Sequence, residues 1–149
     1  MPLDPPPLDE NGVVVPHDHL GIASEDGIIR RISEEQIVFD QKIGGRRISS
    51  MAFKASSGQN AGMSVDLEAS ILAAGLEPRN YVTTPRWTGS IRYMASRLRV
   101  ESFSVGYDPL PENPHHGQVW GNFSKAKQRR LQQICEWYVE IDGVVIGTE

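Results

Sequence analysis

Fourteen residues, Asp108 through Gly121, constrain this chain most: they hold three prolines, two acids, an asparagine and two of the four histidines. Proline fixes φ and has no amide proton, so the stretch is neither helix nor central strand. A loop this stiff needs a scaffold on each side. Phe103, Val105 and Tyr107 alternate before it and Val119-Trp120 follow it, which predicts strand, loop, strand.

The first twenty residues read differently from the rest. Residues 1–16 hold five prolines and three acids, the composition of an extended or disordered polyproline-like arm. The arm, taken as residues 1–20, carries Asp4, Asp9, Glu10 and Asp18 and no Lys or Arg. The whole chain has 15 basic and 19 acidic side chains, so the arm holds the entire net charge of −4. Residues 21–149 are neutral overall and form one domain on length. A neutral domain gives no charge argument for nucleic acid or membrane. No 18 consecutive residues are apolar, so no membrane span is expected. With no signal-peptide pattern and a single cysteine, Cys135, the expected location is cytoplasmic.

Strands are expected at 27–32, 36–40 and 46–54, with Lys42-Ile43-Gly44-Gly45 as a hairpin loop. Ser64 or Asp66 is placed to cap a helix with Leu67, Ile71, Leu72 and Ala74 facing inward and Gly75 ending it. Thr84 and Pro85 look like a helix start. After them Ile91, Met94, Ala95 and Leu98 have helical spacing, and a strand through Ser90 to Ala95 competes because Gly89 is a poor helix interior. Ser124 caps a helix from Lys125 to about Tyr138, with Cys135 on its apolar stripe. The sum is an α+β fold, a small mixed or antiparallel sheet packed by two or three helices.

Three constellations carry chemistry. His17 and His19, two apart on an extended segment, point the same way and form a weak metal-ligand pair that needs further ligands. Arg46 and Arg47 have the fork geometry to clamp a phosphate. Ser49 or Ser50 would bind or attack beside them, His115 or His116 would act as acid or base, and Asp66 or Asp108 would orient the histidine. Lys125 and Lys127, with Arg129 and Arg130, cluster in the first turns of the last helix and suggest an anion site. No motif for a cofactor is present, and none is expected.

Arg30-Arg31-Ile32, the run Arg46 to Phe53, Ser64-Val65-Asp66 and Asp108-Pro109 through Asn113-Pro114-His115 together resemble a group of small bacterial cytosolic proteins of uncharacterised activity. An early strand with Arg31 followed by a Gly-Arg-x-x-Ser-Ser strand is also similar to the order of NAD-contacting elements in ADP-ribosyltransferase-like toxins. That second resemblance implies an NAD-like substrate.

Two function classes follow. The leading one is a protein-interaction module of a bacterial cytosolic complex, its anchors drawn from Trp87, Trp120, Trp137, the arginines and the arm. The alternative is a small enzyme acting on a nucleotide or NAD-like ligand, by ADP-ribosyltransferase-like or phosphoester chemistry, in a His/Arg/Ser pocket. A convergent pocket holding His115 or His116 with Arg47 and a serine favours the enzyme. A flat apolar patch around Trp87 or Trp120, with both histidines facing solvent, favours the module.

Overall fold

A computed structural model describes residues 2–147; Met1 and Thr148-Glu149, at the ends of the two units expected above, lie outside the described residues. The fold is α+β. Six antiparallel strands form the main sheet in the order β6-β7-β4-β1-β5-β8. These are β1 (Gly27–Ile32), β4 (Met63–Leu67), β5 (Gly89–Met94), β6 (Ser104–Tyr107), β7 (His116–Trp120) and β8 (Glu136–Val139). A three-stranded sheet of β2 (Ile37–Asp40), β3 (Gly45–Ile48) and β9 (Val144–Val145) lies beside it, with β3 and β9 parallel. The helices are α1 (Glu68–Ala73), α2 (Pro78–Val82), α3 (Ala95–Val100) and α4 (Lys125–Ile134). None is long and apolar enough to cross a membrane among the described residues.

The sequence Gly-Ile-Ile-Arg-Arg-Ile of β1 explains the layering. Alternation sends Ile28 and Ile32 to one face and Ile29 and Arg31 to the other. Ile28 and Ile32 join the larger core with Phe53, Leu98 and Leu131. Ile29 packs with Ile71, Val82 and Tyr138 in a smaller core under α1 and α2. Each fully buried isoleucine contributes roughly 1.5–3 kcal/mol. All six residues of β1 pair with β5, but pairing with β4 stops after Ile28–Leu67 and Ile29–Asp66. Past that point β1 and β4 are joined only through side chains, and a cavity opens there.

Several local expectations change. The strand expected at 46–54 ends at Ile48, because Ser49 turns the chain and accepts a hydrogen bond from the Met51 amide at 3.1 Å. Neither Ser64 nor Asp66 caps a helix: both lie in β4, α1 has no side-chain cap, and Leu72 is exposed. Thr84-Pro85 starts no helix, and its threonine closes a turn to Trp87. Residues 89–94 are strand because Ile91 and Tyr93 alternate into the core along the full length of β1, which overrides the helical spacing. Ser124 does cap α4, accepting from the Lys127 amide at 3.2 Å. That helix stops at Ile134, since Trp137 and its neighbours pair with β5 as the sheet's edge strand.

The arm packs along β6, the sheet's other edge. His19 donates its amide to the Val105 carbonyl at 2.8 Å. The Asp18 carboxylate accepts from the Val105 amide at 2.9 Å, and His17 Nε2 accepts from the Tyr107 amide at 3.1 Å. The segment His17-Asp18-His19 thus satisfies edge groups that would otherwise be open to pairing. Gly106 permits the approach: a Cβ there would lie 2.8 Å from His17 Nε2 and press on Trp120.

Candidate functional site

The cavity between β1 and β4 has a volume of about 750 Å³. Ser64, Asp66 and His116 line it from β4 and β7, Arg30 and Arg31 from β1. Tyr81 of α2, Trp87, Glu112 and Asn113 of the Pro-rich loop, and Gln36 and Ser56 complete its lining. Two aromatic rings, hydroxyls, an amide, a histidine and two guanidinium groups around one concavity make a small-molecule site in composition.

The polar groups are held by a continuous network. Arg31 meets Asp66 at two points, Nε–Oδ2 2.8 Å and Nη2–Oδ1 3.1 Å. Asn113 Nδ2 donates to the same Asp66 at 2.8 Å, and its Oδ1 accepts from the Tyr81 hydroxyl at 2.7 Å. Burial first, and the Asp66 charge second, raise the Tyr81 phenol above its ordinary value. It therefore stays a donor at neutral pH. The loop is fixed from below by Gln118, whose amide donates to the Asp108 carboxylate at 2.6 Å.

His116 is oriented for proton transfer. Its Nδ1 lies 2.8 Å from the Asp108 carbonyl oxygen and 3.3 Å from the Asp108 carboxylate. A carbonyl only accepts, so the neutral ring carries its proton on Nδ1 and leaves the Nε2 lone pair free. No hydrogen bond engages Nε2 among the described residues.

Arg30 is the second notable group. Its Nε donates to the Ala52 carbonyl at 3.1 Å and its Nη1 to the Ser64 carbonyl at 3.0 Å. It reaches no carboxylate among the described residues. Desolvation lowers its pKa, although a guanidinium remains charged at any physiological pH.

The predicted site residues separate. His116 and Asp108 come together, and His116 lines the cavity. His115 turns to the opposite side, as neighbours in an extended segment do. It is buried, accepts or donates at Nδ1 with Ser70 Oγ at 2.7 Å, and lines a second, more apolar cavity of about 520 Å³. Arg46 and Arg47 do not form a clamp there. Arg46 is exposed and pairs with Glu34 at 2.7 Å; Arg47 pairs with Asp40 at 2.7 Å in the small sheet. Ser49 caps its turn, and Ser50 is exposed beside it. Lys127 donates to the Glu101 carbonyl at 2.6 Å, while Lys125 is exposed. His17 and His19 do face each other, with ring centroids 6.0 Å apart. All four of their ring nitrogens are engaged, with Val15, Tyr107, Asp4 and Gly21. No group of three or more His, Cys, Asp or Glu could hold a metal ion among the described residues.

The sequence did not mark Arg30, Tyr81 or Asn113 as site residues, and it offered Trp87 only as an interface anchor. The available signal was the charged doublet Arg30-Arg31 inside an otherwise apolar strand, where a charge is costly without a purpose. Scans against protein-family models, curated proteins and solved structures return no match.

Proposed function

We propose that this protein is a small enzyme acting on a nucleotide or NAD-like substrate, with His116 as its acid–base residue. The observation that carries the reading is His116, a residue of the cavity lining, held from behind by Asp108. Nδ1 is held by the Asp108 carbonyl and carboxylate, and Nε2 is unengaged. Such an imidazole can take a proton from an attacking hydroxyl or water at Nε2 and return it to the leaving oxygen, leaving the ring unchanged. Tyr81 and Trp87 line the cavity and are the aromatic side chains a base would meet there. The phosphoester bond to be cleaved would lie beside His116.

Both histidines are turned inward, and Trp120 is buried with Nε1 donating to the Asn60 carbonyl at 2.7 Å. These placements count against the flat, solvent-facing patch expected of the module, although Arg47, expected in the enzyme's pocket, pairs with Asp40 in the small sheet instead. A bacterial, cytoplasmic setting is part of the same proposal.

The test is product analysis after incubation with ATP, ADP, NAD and ADP-ribose. The expected result is one converted nucleotide, with the rate lowered about 10²–10⁴-fold in His116→Gln. No conversion of any of the four, or an unaltered rate in His116→Gln, would overturn it.

A further inference from the structure

Arg30 brings a permanent positive charge to the wall of the cavity without an acid to balance it. Its nearest ionic neighbour in sequence, Arg31, is already matched by Asp66. The other carboxylate at the cavity, Glu112, is exposed on the loop. Two of the three Arg30 nitrogens are fixed to main-chain carbonyls of Ala52 and Ser64. Those bonds set the plane of the guanidinium, and Nη2 has no hydrogen-bond partner among the described residues. Nη2 is not among the sealed, unpartnered polar atoms, which are Ser90 Oγ and Tyr93 Oη, and Arg30 is among the residues that line the cavity.

A partly buried cation held this way is costly unless a counter-charge arrives. The donors nearby suit a particular counter-charge. Ser64 and Ser56, which carry hydroxyls, and the Gln36 amide line the same cavity. Several donors of different kinds around one cation fit a group with three acceptor oxygens. We propose that Arg30 seats a phosphoryl group of the ligand, with Nη2 donating to it while Nε and Nη1 keep their main-chain bonds. The inference rests on the reading of this cavity as the binding site, but not on His116 being catalytic. It assigns the cavity a charged end at Arg30 and an aromatic wall at Tyr81 and Trp87, so the ligand class is a nucleoside phosphate bound phosphate-first.

Calorimetric titration of the full chain with ADP, adenosine and inorganic pyrophosphate tests it, with Arg46→Gln as a control outside the cavity. ADP should bind about tenfold or more tightly than adenosine, since hydrogen bonds to charged groups are worth about that ratio. Arg30→Gln should bring ADP down to the level of adenosine, while Arg46→Gln keeps the preference. Pyrophosphate binding that is lost in Arg30→Gln also supports the seat. Equal affinities for ADP and adenosine in the unaltered chain, or an unchanged preference in Arg30→Gln, would overturn it.

Because Arg30 also ties β1 to β4, Arg30→Gln may be replaced by a measurement on the unaltered chain. The Nε–H resonance of Arg30 should shift during pyrophosphate titration. If it stays fixed while resonances at Lys125 or Lys127 move, the seat is elsewhere and the proposal fails. Failure of the seat leaves the turnover test with His116→Gln standing, and failure of turnover leaves the binding preference standing, so the two are separable.

Discussion

Arg31 and Asp66 meet in a two-point ion pair, Nε–Oδ2 2.8 Å and Nη2–Oδ1 3.1 Å, at the place where main-chain pairing between β1 and β4 ends. The Asp66 side chain is only 4% exposed and also accepts from Asn113. It joins the central strands to the Pro-rich loop through one carboxylate.

Asp66→Asn should therefore cost about 3 kcal/mol, near the range for breaking a buried pair, because it leaves the Arg31 charge without its partner. Denaturant unfolding checks this. Asn113→Ala should cost less, about 1–2 kcal/mol, and loosen the loop, since one bond to Asp66 and one from Tyr81 are lost.

The edge of β6 makes a second prediction. Asp18→Ala removes the acceptor of the Val105 amide and of Arg99 Nε, which lies 2.9 Å away. His17→Ala removes the acceptor of the Tyr107 amide. Each should speed hydrogen exchange at the amide it bares. Together they should expose the strand edge and raise the apparent mass in light scattering. Unchanged exchange at Val105 and Tyr107 would contradict the role assigned to these side chains.

The α+β class and a strand–loop–strand arrangement were legible because apolar alternation and proline are local signals, but the second strand, β7, begins at His116 and lies inside the sheet, within the stretch Asp108–Gly121 expected to be neither helix nor central strand. Ser124 as a helix cap was legible for the same reason. The competition at Ile91 to Leu98 was settled only by pairing with β1, which no local window contains. The candidate site divided similarly. Asp108 and His116 are near in sequence and near in space. Arg46 and Arg47 looked like a phosphate clamp by residue type, but Glu34 and Asp40 fold back to claim them. Arg30 gained its significance from what is missing around it in three dimensions.

Alkaline pH gives a third prediction. Burial pushes the Cys135 thiol from its ordinary 9.0 up to about 12. The unfolded chain releases this proton first, so stability is full below about pH 9 and falls as pH climbs to about 12. The slope from this one group reaches at most about 1.4 kcal/mol per pH unit. Burial, together with the hydrogen bond donated to Glu68 at 2.6 Å, also raises the Tyr138 phenol, which adds loss in the same direction. Unfolding measured from pH 8 to 11 should show a shallower decline in Cys135→Ala. At pH 7.5 the native thiol should resist alkylation until the protein unfolds.

The most direct measurement of the central claim is the set of three tryptophan indole N–H resonances during titration with ADP. Trp87 lines the cavity, Trp120 is buried with its Nε1 hydrogen-bonded to Asn60, and Trp137 lies on β8. The account predicts a saturable shift of the Trp87 resonance, with Trp120 and Trp137 nearly still. A silent Trp87 at saturating ADP, or a response confined to Trp120 or Trp137, would contradict it.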